Sequence, residues 1–395
     1  MPGPLHGYRV IDLTTMIAGP LATMILADQG ADVIKVETPG RGDQTRAAGN
    51  RSGGLSASFL NNNRNKRSIT IDLKRAEGRD ALLRLAAGAD VLVQNFRPGV
   101  VERLGIGETA VRAAAPAIVY VSICGFGETG PYVRKPTYDP IIQAVSGLAS
   151  IQGGSDQSRP RLVRTIVPDK TTALTAAQAV TAALLARERT GEGQHVRLSM
   201  LDSVLAFLWS SDMGGQTYVG REVDAQRAAS FIDLIYETKD GHMSVAVMSD
   251  AQWAALAQAV EKPEWLDDPR FKTMALRDLN IDDRLALTQS VLATRTTAEW
   301  LALLEPAGVP CAPVLTRKEV VRHPQTLAND VLVEYDHPVA GRLRQTRTAA
   351  RFERTPAAHR FGAPTLGQHT DEILREAGLA DADIAALRAG GIVGG

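Results

Sequence analysis

The stretch "IVPDKTTALTAAQAVTAALLARERTGEGQ", residues 166–194, places a single acid, Asp169, after a proline and in front of an alanine-rich run. A carboxylate in that position has two readings. As an N-cap it accepts bonds from the first free N–H groups of the helix that follows. As a reactive group it is kept ionised by the same donors and the helix dipole, and an ionised carboxylate attacks a carbonyl to form a covalent intermediate. The residue alone does not choose between them. Its support is clearer: residues 170–189 are mostly Ala, Leu, Gln and Arg, all good helix formers. Leu174, Ala177, Val180 and Leu184 recur at helical spacing and predict a buried stripe. Arg187 and Arg189 suit the negative end of the helix, and Gly191 suits its stop. Pro168 disfavours helix at Val167, so the predicted start lies near residue 169.

Other chemistry-bearing patterns are set aside on physical grounds. Gly125 to Gly130 spell G-x-G-x-x-G after a strand, but Pro131 and Tyr132 follow and the next helical pattern begins only near Asp139. A nucleotide loop of that kind needs a helix to open on it, so residues 125–130 read as a flexible loop beside a ligand. The chain has neither Gly-Lys-Ser/Thr nor G-x-S-x-G, and its seven histidines show no ligand-like spacing, so no metal site is expected. Cys124 and Cys311 form no redox or metal pair; Cys124 reads as a small hydrophobe at a strand end, and a reduced, cytoplasmic setting is expected. The 44 basic and 44 acidic residues balance, which gives no electrostatic support for nucleic-acid or membrane-surface binding. The apolar stretch 16–27 is too short to span a bilayer.

These residues must be carried by a particular architecture. "YRVIDLT" (8–14) and "ADVIKVE" (31–37) bracket a helix over 20–29. "SITIDL" (68–73), a helix over 75–87, "ADVLVQNF" (89–96) and "AIVYVSICGFG" (117–127) continue the alternation. Apolar strands alternating with helices predict an α/β fold, a doubly wound, mostly parallel Rossmann-like sheet with its ligand crevice at the strand carboxyl ends. A linker is expected over 211–230. After it comes a hairpin over 231–248 turning at Asp240-Gly241, then Trp-bearing helices near 250–260 and 296–305. The expected domains are a large α/β part over 1–215, a small α+β part over 225–325, and a return to the large part over 330–395, ending in helices across 370–389.

Several stretches in order resemble the class III CoA-transferase family, which includes formyl-CoA and carnitine CoA-transferases. They are "VIDLTTMIAGPLATMILADQGADVIKVETPGRGDQTR", "NRNKRSITIDLK", "VLVQNFRPGVVERLG", "YVSICGFGETGPYVRKPTYDPIIQAVSGL", "ERTGEGQHVRLSMLDSVL", "GVPCAPV", "VEYDHPVAG" and "LGQHTDEILREAG". The resemblance implies that Asp169 is the catalytic aspartate, moving CoA between an acyl-CoA donor and a small carboxylic acid acceptor through covalent aspartyl intermediates. It implies no tightly bound cofactor, with coenzyme A as substrate, and an interlocked homodimer. It implies CoA contacts at Lys74, Asn95, Phe96, Arg97, Arg103 and Lys135, with Ile17, Ala18 and Tyr138 in the same site. Arg64, Lys66 and Arg67 add to the local cations available for its phosphates. By analogy, loop 125–130 or glycines of the small domain supply oxyanion donors.

The chain departs from the family pattern in places. Ile17 stands where formyl/oxalate members carry glutamine, which counts against oxalate, and Thr38 stands where an adenine-stacking Arg is common, leaving Arg41 or Arg46 to serve. The rival readings are a 2-methylacyl-CoA racemase, which pairs the aspartate with a histidine where this chain has Tyr138, and a non-catalytic CoA-binding protein.

Overall fold

The computed structural model describes residues 3–224 and 234–394. They divide into two units, one drawn from Met1–Arg227 and Asp330–Gly395, the other from Ala228–Asn329.

In the N-terminal part of the first unit the strands are β1 (Arg9–Asp12), β2 (Asp32–Glu37), β3 (Arg51–Ser52), β4 (Leu55–Ser56), β5 (Lys66–Thr70), β6 (Val91–Gln94), β7 (Val119–Cys124) and β8 (His195–Ser199). All but the small β3–β4 ladder join one sheet in the order β5-β2-β1-β6-β7-β8, every neighbouring pair parallel. Counted by its own strands the sheet runs 3-2-1-4-5-6, so the direction of winding reverses between β1 and β6. The crevice of such a sheet lies at that reversal. The helices are α1 (Ala18–Asp28), α2 (Ala57–Asn63), α3 (Ala76–Ala87), α4 (Val100–Arg103), α5 (Glu108–Ala114), α6 (Asp139–Val145), α7 (Leu148–Gln152), α8 (Val167–Thr190) and α9 (Met200–Trp209).

Alternation along each strand feeds two cores. Val10, Val33, Val91, Val119 and Val121 face α1 and α8, whereas Ile11, Ile34, Ile69, Leu92 and Tyr120 face α3 and α5. Each side chain fully buried in this way contributes about 1.5–3 kcal/mol. A sheet covered on both faces explains why its central strands read as unbroken apolar runs.

In the second unit β9 (Ile235–Glu237), β10 (His242–Val245) and β11 (Cys311–Pro313) form an antiparallel sheet. Residues 231–233, the start of the expected hairpin, and the expected boundary at 225 lie outside the described residues. Its helices are α10 (Asp250–Ala259), α11 (Met274–Leu279), α12 (Ile281–Leu292), α13 (Thr297–Leu304), α14 (Arg317–Val320) and α15 (Pro324–Ala328). Trp253, Trp265, Phe271 and Trp300 fill its core. From residue 330 the chain returns to the first unit as the hairpin β12 (Leu332–His337) and β13 (Gly341–Thr346), then α16 (Thr370–Glu376) and α17 (Asp381–Ala389).

Several expectations need correction. Helix α8 begins at Val167, not near 169, because Pro168 sits in its first turn, where the missing N–H is no loss. Leu174 is 61% exposed, and the buried stripe is Ala173, Ala176, Ala177, Val180, Ala183 and Leu184. The strand expected at 68–73 is shifted to 66–70, because Lys66 is itself a fully buried strand residue.

Candidate functional site

The turn after β1 and the turn after β6 face each other across the winding reversal. Asn95 stitches them: its Oδ1 accepts the Thr15 N–H at 2.9 Å and its Nδ2 donates to the Thr15 carbonyl at 2.8 Å. Between the turns opens a crevice of about 270 Å³. It brings together Ile17, Ala18, Asn95, Phe96, Arg97, Lys135, Tyr138 and Asp169, all expected from the sequence. Lys74 lies instead in an adjoining cavity of about 520 Å³, which shares Thr15 and Phe96 with the first and also holds Thr38. Arg103 ends α4, exposed, and lines neither cavity.

Asp169 is not the N-cap. Ile166 holds that position without a side-chain cap, and Asp169 is the third residue of α8. Its carboxylate faces the Ala18 N–H at the start of α1 instead. The donors of α8 do not set its acidity: burial first, and the charge of Asp139 second, push Asp169 up to about 6, against a smaller opposing effect of the Ala18 N–H. Removal from water outweighs one hydrogen bond. A carboxyl group at about 6 is still mostly ionised at neutral pH and is more basic than an ordinary carboxylate.

Asp139 was not singled out by the sequence. It opens α6, is 4% exposed, and its Oδ2 accepts the Asp169 backbone N–H at 3.4 Å. Its Oδ1 accepts from Gln143 Nε2 at 2.6 Å, and Gln143 Oε1 in turn accepts the Val163 N–H at 2.9 Å. An acid from another element therefore satisfies one of the free donors of α8. The available signal was the Asp-Pro pair at a helix start, a local feature that names no distant partner.

The cations divide sharply. The guanidinium of Arg97 has no ion pair or hydrogen bond among the described residues, and it is exposed at the crevice. Lys135 Nζ sits 4.0 Å over the Tyr132 ring, and Tyr132 packs edge-on against Phe126 at 5.2 Å. Arg64, Lys66 and Arg67 are not available for phosphates: they pair with Asp28, Asp12 and Asp32 at 2.6, 2.9 and 2.6 Å. Arg46 is also committed, bidentate to Glu37 at 2.8 and 2.7 Å and stacked 3.7 Å over Phe59, which leaves Arg41 exposed near Thr38.

Cys124 lines the crevice, but burial pushes its thiol up, away from the reactive thiolate. Gly127 and Gly130 of the 125–130 loop have φ of 98° and 85°, and no helix opens on them before α6. Within 228–329 the only glycines are Gly241, in the β9–β10 turn, and Gly308, after α13, so that unit has no glycine-rich loop to offer donors. Among the described residues no cluster of His, Cys, Asp and Glu could hold a metal, and no helix is long and apolar enough to cross a membrane.

The sequence model described as CoA-transferase family III matches residues 5–370. An acyl-CoA transferase of Fusarium pseudograminearum is 38% identical over 99% of this chain and 88% of its own length. The succinyl-CoA:glutarate CoA-transferase of Homo sapiens is 35% identical over 94% of this chain and 86% of its own. The formyl-CoA:oxalate CoA-transferase of Escherichia coli O139:H28 is 32% identical over 98% and 99%. Among solved structures, a CAIB/BAIF family protein from Brucella suis superposes with a TM-score of 0.84 at 32% identity, covering 95% of this chain and all of that one.

Proposed function

Because the chain belongs to CoA-transferase family III, we propose that Asp169 is the nucleophile through which this enzyme transfers CoA. The chain is a CoA-transferase; the route, the site residues and the substrates are the proposal. The observation that carries it is the half-buried Asp169 carboxylate, of raised basicity, set at the sheet's winding reversal and facing the Ala18 N–H at the start of α1.

The Asp169 carboxylate attacks the thioester carbonyl of the donor acyl-CoA, the C–S bond breaks, and CoA leaves as the thiolate with a mixed anhydride on the enzyme. The thiolate attacks the aspartyl carbonyl, releases the donor as its carboxylate, and leaves an aspartyl-CoA thioester. The acceptor carboxylate attacks that thioester, and the returning thiolate then cleaves the new anhydride at the acceptor's carbonyl. Acyl-CoA of the acceptor departs and the Asp169 carboxylate is restored. Covalent catalysis divides the exchange into steps of similar energy. Each attack on the aspartyl carbonyl builds an oxyanion on an Asp169 oxygen, the atom that the Ala18 N–H and the N-terminal dipole of α1 are placed to stabilise.

In this reading CoA lies over Phe96 and Arg97, with Lys135 at the crevice and Lys74 reached through the neighbouring cavity. The acceptor is a small organic acid. Relatives named for oxalate and glutarate support that class, and Ile17 in the crevice argues for an acid less polar than oxalate. The proposal includes the three-part domain division, with CoA on the large unit, and a homodimer of interlocked chains. In support of the dimer, Leu174, Leu185, Phe207 and Trp209 on α8 and α9 are half exposed or more, an apolar surface of the kind that subunits bury. A cytoplasmic setting is in keeping with its two free cysteines. The test is direct: donor acyl-CoA alone should leave a hydroxylamine-sensitive adduct on the peptide containing Asp169, and a folded Asp169→Ala protein should bind CoA without turning over. Turnover in that variant would end the covalent reading.

A further inference from the structure

The stretches "VIDLTT", "VIKVETPGRGD" and "NRNKRS" converge on a feature that the transfer steps do not use. Asp12, Lys35, Asp43 and Lys66 are each no more than 1% exposed, and Asp43 lines the cavity that adjoins the crevice. Lys66 Nζ pairs with Asp12 at 2.9 Å, and Lys35 Nζ with Asp43 at 3.0 Å. Four charges withdrawn from water are a poor device for stability, since well-packed apolar replacements of such sets are often neutral or better.

Their hydrogen bonds point to a different purpose. Asp12 Oδ1 accepts the Thr14 N–H at 2.9 Å, and Lys35 Nζ donates to the Thr14 carbonyl at 2.9 Å. Asp43 Oδ1 accepts the Met16 N–H at 3.3 Å while also accepting the Thr45 N–H at 2.9 Å. With Asn95 holding Thr15 on both sides, the backbone of Thr14 to Met16 is fixed at five points by side chains rather than by helix or strand. Met16 has φ of 71°, a left-handed conformation that residues with a Cβ adopt only under constraint. Two residues later α1 begins with Ala18, whose N–H faces the Asp169 carboxylate.

We infer that Asp43, backed by Lys35, is a positioning residue: it locks Met16 in the left-handed conformation and thereby aims the Ala18 N–H at the Asp169 carboxyl. The inference rests on Asp169 being the nucleophile. Freed from Asp43, Met16 relaxes toward negative φ and the peptide planes that follow it rotate. A misplacement of about 1 Å at a reacting centre costs on the order of 100-fold in rate. Phe96 and Arg97 sit on the turn after β6, outside the part that moves, so their contacts with CoA are spared.

The experiment uses the whole enzyme and reads kcat per active site, with sites counted by the hydroxylamine-sensitive adduct. Asp43→Asn keeps the size of the side chain and removes the charge that holds Lys35; kcat falls by about 10- to 100-fold while KM for acyl-CoA changes by no more than about threefold. Met16→Gly, introduced into Asp43→Asn, removes the steric cost of positive φ and restores kcat by about fivefold or more. Met16→Val leaves all four charges untouched but places a β-branched residue where φ is positive, so it lowers kcat in the same way. That arm decides the matter if Asp43→Asn does not fold. Wild-type kcat per site in Met16→Val overturns the inference, as does an Asp43→Asn loss that Met16→Gly leaves unchanged. Asp169→Asn, assayed alongside, keeps the two readings apart. If it turns over, the nucleophile is wrong; if it is inactive and Met16→Val is not, only the positioning role is wrong.

Discussion

Replacing Asp169 with Asn should inactivate the enzyme and make it more stable. The carboxyl group rises from an ordinary 3.8 to about 6 in the folded chain. At about 1.4 kcal/mol per unit, that is an upper bound of about 3 kcal/mol by which the folded state disfavours the ionised carboxylate. Solvent reaching a partly exposed group reduces this, so a gain of about 1–3 kcal/mol is the expectation. The direction with pH follows from the raised value. Wild type loses stability as pH climbs from about 4 to 6, because the unfolded chain has already released a proton that the folded chain still binds. Asparagine cannot ionise, and its side-chain oxygen can still face the Ala18 N–H. The two proteins should therefore have similar melting temperatures near pH 4. By pH 7–8 the variant should melt about 2–6 °C higher, at roughly 2 °C per kcal/mol for a unit of this size. Thermal melts without ligand, in steps of one pH unit, provide the comparison. A variant that is equally or less stable at pH 8, or an offset that does not change with pH, would refute both the burial argument and its sign.

For catalysis, kcat/KM should rise with pH through about 6 as Asp169 ionises, and Asp139→Asn should move that limb to lower pH by removing a nearby negative charge; an unmoved limb in pH–rate profiles would dissociate Asp139 from the nucleophile. Arg97→Ala should weaken binding of CoA more than that of 3′-dephospho-CoA in calorimetric titrations, because a charge-assisted contact to phosphate is lost; equal weakening would place that phosphate elsewhere. A 2-methylacyl-CoA incubated in D2O should take up no deuterium at Cα while CoA exchange with free acids proceeds, since among the described residues no histidine lines the crevice to pair with Asp169; fast uptake without an acceptor would favour the racemase. Phe59→Ala should cost about 3–5 kcal/mol in urea unfolding, because Phe59 is fully buried and carries Arg46 on its face; a cost below about 1 kcal/mol would mean the ring is not part of a packed core.

The sheet was legible where burial leaves its mark on composition. Strands β1, β2, β6 and β7 are covered on both faces and appear as runs of Val and Ile. Strand β8 escaped because an edge strand reading His-Val-Arg-Leu-Ser alternates polar and apolar residues too briefly to announce itself. The start of β5 escaped because a lysine is expected at the surface, and Lys66 is acceptable inside only with Asp12, 54 residues earlier, beside it. The same long-range pairing explains the cations. A sequence shows how many arginines and lysines lie near a site, and it does not show that Asp28, Asp12 and Asp32 have already claimed three of them. The elevated basicity of Asp169 depends on desolvation by neighbours from several elements and on Asp139, 30 residues away, quantities that no local pattern encodes.

The return of the chain after residue 330 has a consequence for how the protein comes into being. Ile373, Leu374, Ile384, Ile392 and Val393 belong to the same core as Ile11, Ile34, Ile69 and Leu92. The Thr70 N–H at the end of β5 donates to the Thr370 hydroxyl oxygen 300 residues later, and the Asp72 N–H donates to the Ile392 carbonyl. On a ribosome adding about 5–20 residues per second, that face of the sheet emerges roughly 15–60 s before the segment that covers it exists. The nascent chain must carry an uncovered apolar surface for that interval, with a whole second unit synthesised in between. The large unit is therefore completed only after the second unit has been made, by helices synthesised about 300 residues after the strand they cover.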